Sequence, residues 1–153
     1  MMHKLRSRRG MTLTEVLVAL LILSLVTVGV AAGVGASVRV YRQATEASDA
    51  HMLASTLSTA LMDELRYARD IQADGSFTSD TFGEGVSVGL NDGYVEIGNE
   101  KLLSEAAYAG LRVKDSITVT YAGGVFHVEL TVQSGTEDRD IRTVSFAVRA
   151  LNA

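Results

Sequence analysis

The segment from Val16 to Val38 runs 23 residues without a charged residue or a proline. As a helix rising about 1.5 Å per residue it reaches roughly 34 Å, enough to cross a hydrocarbon core of about 30 Å. One carboxylate, Glu15, stands at the mouth of this run. A charge near the bilayer interior costs about 2.5–3.5 kcal/mol on insertion scales, so an ionisable group there marks a functional site whose partner needs naming. The flank before the run holds Lys4, Arg6, Arg8 and Arg9, whereas Arg39 and Arg42 beyond it are offset by Glu46 and Asp49. By the positive-inside bias the amino terminus lies in the cytoplasm and the rest of the chain outside. A secretory signal peptide, cut near Val30-Ala31-Ala32 or Gly35-Ala36, is the competing reading. Its apolar region would be about 7–15 residues long, and this one is longer and followed by more helix.

The residues at the junction are Arg8-Arg9-Gly10, then Met11-Thr12-Leu13-Thr14-Glu15. This resembles the class III signal of type IV pilins and pseudopilins: a short basic leader, glycine at the cut, a hydrophobic first mature residue and glutamate as the fifth. The resemblance covers about the first forty residues. It implies that a prepilin peptidase cuts between Gly10 and Met11 and methylates the new amino terminus, leaving the apolar segment on the mature protein. It also implies that Glu15 pairs with the amino terminus of a neighbouring subunit during assembly. Two opposite charges leaving the headgroup zone for a helical bundle are tolerable only as a pair.

At 153 residues the chain has room for one membrane segment and one domain. Without its four leader cations it keeps ten basic against eighteen acidic residues, a net charge near −8. From Ile71 to Ala153 there are six basic and twelve acidic residues, the wrong balance for gripping phosphates, so direct nucleic-acid binding is disfavoured. There is no cysteine, so the exported part must hold together by its core alone.

From Ala44 the pattern turns amphipathic. Ala47, Ala50, Ala54, Leu57, Leu61, Leu65 and Ala68 recur on one face, with Thr45, Asp49, Thr56, Thr59, Asp63, Arg66 and Asp70 on the other. The spacing predicts one helix continuing to about Ile71, with Asp63, Arg66 and Asp70 placed for ion pairs and Asp74-Gly75 as the stop. Downstream the period becomes two. Val86, Val88 and Leu90 lead through Asn91-Asp92-Gly93 to Tyr94–Ile97, and Ile117, Val119 and Tyr121 lead through Gly123-Gly124 to Phe126, Val128, Leu130 and Val132. A last strand is expected from about Arg142 to Ala150 with Val144, Phe146 and Val148 facing in, and a short helix between Leu102 and Leu111 ending at Gly110. These elements form an α+β fold, a long helix whose outer half packs on a small antiparallel sheet, which resembles the pilin fold. The expected divisions are a leader at 1–10, a transmembrane or filament-core helix at 11–38, and an extracytoplasmic head at 39–153.

Gly29 and Gly33 form a Gly-xxx-Gly step with three readings: close helix packing in membrane or filament core, a weak point where the helix unwinds during polymerisation, as the resemblance to type IV pilins implies, or ordinary glycine tolerance in a transmembrane helix. The acids Glu137, Asp138 and Asp140 could present oxygen ligands for calcium. Arg139 lies among them, and a solvated turn is the preferred reading. His3, His51 and His127 have neither cysteine partners nor i,i+4 spacing, so no metal or other cofactor is expected. Neither a nucleophile elbow nor a phosphate-binding glycine loop is present.

The expectation is therefore a non-enzymatic subunit of a type IV pilus or of a secretion or competence pseudopilus, anchored in the cytoplasmic membrane by one helix. Its partners would be the prepilin peptidase, the membrane assembly platform and other pilin subunits in a homo- or hetero-oligomeric filament. The alternatives are a low-copy minor subunit whose head contacts substrate or DNA, and a membrane-tethered enzyme with a cryptic site.

Overall fold

The computed structural model describes residues 11–114, 117–137 and 139–152. The chain divides after Gln43 into two compact units. Helix α1 (Leu13–Arg66) contributes to both.

In the first unit residues 11–43 are all exposed, large apolar side chains included. An 18-residue window of α1 has a mean hydropathy of 2.6, and by length and composition the helix can cross a membrane. Three hydroxyls of this apolar stretch are satisfied within the helix: Ser24 donates to the Leu21 carbonyl at 2.7 Å, Thr27 to Leu23 at 2.8 Å and Ser37 to Gly33 at 2.9 Å. This back-bonding lets hydroxyl side chains enter an apolar medium without stranded donors.

The second unit is built on the amphipathic part of α1. Ala50, Leu53, Ala54, Leu57, Ser58, Leu61 and Leu65 are buried there, and Ala68 joins them just past its end. Each fully buried leucine contributes about 1.5–3 kcal/mol relative to exposure. Ala47, expected on this stripe, is exposed, while Leu53 and Ser58 extend it. The cover is three antiparallel sheets rather than one. Strands β1 (Phe77–Ser79) and β2 (Gly83–Val86) pair, as do β3 (Val88–Asn91), β4 (Tyr94–Ile97) and β5 (Glu100–Lys101) in that order. In the third sheet β8 (Val125–Ser134) is central, pairing with β6 (Leu111–Val113), β7 (Thr118–Ala122) and β9 (Asp140–Arg149).

Both expected hairpins form. Asn91 faces Tyr94 and Ala122 faces Val125, so each turn has two central residues, Asp92-Gly93 and Gly123-Gly124. All four have positive φ, between 49° and 81°, the backbone that matches strand twist in two-residue hairpins. Along β8, Phe126, Val128, Leu130 and Val132 are buried and His127 and Glu129 exposed, as the alternation requires. They join Leu57, Leu61, Leu65, Phe77, Val95, Ile97, Tyr108 and Val113 in one core. Phe77 meets Phe126 edge-on at 6.0 Å, and Tyr108 meets Tyr94 at 4.9 Å. The Tyr108 hydroxyl accepts the Val95 N–H at 2.9 Å, and burial pushes its pKa up.

Several boundaries differ from the pattern. Val86 belongs to β2, opposite Phe77, and not to the strand of Val88 and Leu90. The helix ends at Arg66, not near Ile71, because the Arg66 carbonyl accepts the Leu151 N–H at 2.8 Å and Arg69 forms a β-bridge with Thr78. Asp74-Gly75 is thus a turn beyond the helix and not its stop. Among the described residues no ion pair links Asp63, Arg66 and Asp70; Arg69 pairs instead with Asp80. The alanine-rich connection narrows to a 3₁₀ turn, Glu105–Tyr108, followed by Ala109 and Gly110 at positive φ.

Candidate functional site

The first described residue, Met11, is 70% exposed and precedes the helix. Gly10, the expected cleavage residue, and the rest of the leader lie outside the described residues. Helix α1 then opens on a reciprocal cap. The Thr12 N–H donates to Glu15 Oε2 at 3.0 Å, and the Glu15 N–H donates to Thr12 Oγ1 at 3.2 Å. The Thr12 hydroxyl also donates to Glu15 Oε2 at 3.2 Å. A helix leaves its first N–H groups without intrahelical partners, and a Thr-x-x-Glu box satisfies two of them at once. The carboxylate also lies in the first turn, where the helix dipole favours negative charge.

Glu15 therefore has a local partner in the isolated chain, which the sequence reading did not name. The three-residue spacing from Thr12 was the available signal. One carboxylate oxygen, Oε2, takes both contacts from Thr12, and a carboxylate has further lone pairs with which to accept from another donor. Thr14, Val18, Ala19 and Ile22 flank it in a shallow hollow of about 370 Å³. The chemistry available here is ion pairing and hydrogen-bond acceptance.

Gly29 and Gly33 lie one turn apart on the same helix face, and a methyl group built on either would meet nothing within 4 Å. The acidic loop is organised by cations: Arg139 pairs with Glu46 of α1 and with Glu137, and Asp140 accepts from Lys114 Nζ at 2.7 Å. Asp138 lies outside the described residues. Among the described residues no group of three or more His, Asp or Glu side chains converges as a metal site. His127 sits on the outer face of β8, level with Thr120 and Ala147.

Residues 5–31 match the family model described as the prokaryotic N-terminal methylation motif. The matched segment contains Gly10, Met11, the Thr12–Glu15 cap and Gly29. The chain carries a type IV pilin-like class III signal, and the motif supports a protein of the type IV pilin and pseudopilin family, a structural class. The motif implies processing by a prepilin peptidase and assembly with other pilins, and with the apolar helix it points to membrane anchoring. Comparison with curated proteins and with solved structures gives no match.

Proposed function

We propose that this chain is a non-enzymatic structural subunit of a type IV pilus or of a secretion or competence pseudopilus. The observation that carries the reading is the methylation motif falling on a capped glutamate that opens an apolar helix whose described residues 11–43 are all exposed. Cleavage after Gly10 gives Met11 a free, methylated amine. The leader is residues 1–10, the membrane and filament-core helix 11–38 and the head 39–153, with the amino terminus in the cytoplasm and the head outside. Stored in the bilayer, the helix is solvated by lipid; in a filament it is covered by the same helix of its neighbours. Glu15 keeps its Thr12 contacts in the membrane and gains the methylated amine of a neighbouring subunit on assembly, Gly29 and Gly33 allowing the helices to approach. The acidic loop serves as a solvated turn tied to α1.

The test is Glu15→Gln in the full chain, compared with Gly10→Val. Glu15→Gln leaves insertion and cleavage intact, read by intact mass of the extracted protein as a chain beginning at Met11. Its incorporation into sheared filaments falls sharply, since leaving a buried charge unpaired costs about 3–5 kcal/mol at each added subunit. Gly10→Val leaves uncut precursor in the membrane. A Glu15→Gln protein that is processed and enters filaments at the wild-type level overturns the assembly role of Glu15. A wild-type terminus beyond Ala32 overturns the whole reading.

A further inference from the structure

Strand β9 breaks its own apolar pattern at one place. Val148, Phe146 and Val144 lie opposite Phe126, Val128 and Leu130, and the next register position on that face, opposite buried Val132, is Arg142. Directly opposed residues of an antiparallel pair point to the same face. A guanidinium therefore stands where a fourth apolar side chain would extend the core. Across from it α1 contributes His51, Ala54, Ser55 and Ser58, and with Val144 these enclose a cleft of about 290 Å³.

None of these residues is acidic. The nearby loop cations are neutralised, Lys114 by Asp140 and Arg139 by Glu46 and Glu137, whereas Arg142 takes part in no ion pair among the described residues. The Ser58 hydroxyl donates to the Ala54 carbonyl at 2.7 Å, which leaves the Arg142 guanidinium, the His51 ring N–H and the Ser55 hydroxyl as donors. An acid-free cleft with a guanidinium recognises a carboxylate, and the chain surrounding it is acidic, with twelve acids against six bases from Ile71 onward.

That charge imbalance makes a second copy of this chain the fitting partner. Asp63 is exposed, takes part in no ion pair among the described residues, and borders a shallow hollow with Ser55, Thr56, Thr59 and Ala60. It lies five residues beyond Ser58 and twelve beyond His51 on α1, about 8–18 Å along the helix axis from the cleft residues. Within one copy Arg142 and Asp63 form no ion pair with each other among the described residues. Between copies they form a heterologous contact, which repeats into an open filament if the rotation does not close a ring. Resting on the filament reading above, we propose that Arg142, with His51 and Ser55, receives the Asp63 carboxylate of the next copy.

Arg142→Asp and Asp63→Arg, each in the full chain, lower incorporation into sheared filaments by about tenfold or more, the scale of one close interfacial charge pair. The double variant Arg142→Asp with Asp63→Arg restores incorporation to near wild type, which a folding defect or a free anion in the cleft would not do. Because the chain has no cysteine, a chain carrying both Arg142→Cys and Asp63→Cys gives a ladder of linked subunits with a short bis-maleimide, and either single variant stays monomeric. A double charge reversal no better than its parents, or a missing ladder while wild-type filaments form, overturns the contact and leaves the filament reading standing. Absence of wild-type filaments overturns both.

Discussion

Two stretches of the same helix meet opposite surroundings. Leu17, Leu21 and Leu25 are 57%, 61% and 65% exposed, whereas Leu57, Leu61 and Leu65 are fully buried. Both stretches are leucine-rich; the difference is the arrangement. Up to Val38 apolar residues occupy every side of the helix, so no single face could satisfy them, and such a helix needs an apolar medium on all sides. Beyond Ala44 the leucines are confined to one face, with Met52 left exposed, and strands from the same chain cover that face. The glycines repeat the contrast. A methyl group at Gly33 meets open space, while at Gly135 it would lie 2.0 Å from the Gly110 carbonyl oxygen.

The largest effect expected from this contrast is in the core. Leu61→Ala lowers the stability of the head by about 2–5 kcal/mol, through lost burial and the cavity left behind. Leu21→Ala leaves the head unchanged, as thermal unfolding of the detergent-solubilised chain followed by circular dichroism would show. Equal losses for both would break the comparison.

Next comes Gly135→Ala, which forces a backbone shift against Gly110 and costs about 1–3 kcal/mol, as overpacking typically does. Gly33→Ala leaves the unfolding of the solubilised monomer unchanged. A defect of Gly33→Ala seen only in filament yield would assign that glycine to packing between subunits.

Smaller still is the helix start. Thr12→Ala removes the hydroxyl half of the cap, worth about 1 kcal/mol at a typical N-cap. Fraying is confined to the first turn, visible as faster amide exchange at Glu15 with the head unaffected.

The smallest effect is a titration. The Ser76 hydroxyl, followed by its backbone N–H, donates to Asp74 and holds that carboxyl below its ordinary value of 3.8. A depressed folded-state pKa gives stability that is present above the unfolded value and lost as pH falls through the folded one, so the window lies below 3.8. Ser76→Ala moves the Asp74 titration, followed by carboxyl NMR, back up toward the ordinary value without displacing the head's thermal transition at neutral pH.

The elements legible in advance were those with local causes. The hairpins at Asp92-Gly93 and Gly123-Gly124 could be read because the turn residues permit positive φ and the flanking residues alternate. Glu15 stood out because a lone acid beside an apolar run is conspicuous, whereas its bond to Thr12 required attention to the first turn itself. Strand β6 was missed because three residues are too few to show a period, and its partners Val132, Gln133 and Ser134 lie about twenty residues away in the chain.

The sequence by itself determined that the chain has an all-apolar helix, an amphipathic continuation and a run of antiparallel hairpins, because periodicity and turn chemistry are properties of neighbouring residues. Only the tertiary structure decided where α1 stops, since Arg66 meets the N–H of Leu151 from the opposite end of the chain. Only there do Val86 and Val88 enter different sheets, through the partners each one finds. Likewise, Arg142 becomes the wall of a cleft only when β9 is laid beside β8 and over α1. A contact between distant segments is fixed by the packing of the whole core, and no window of adjacent residues carries that information.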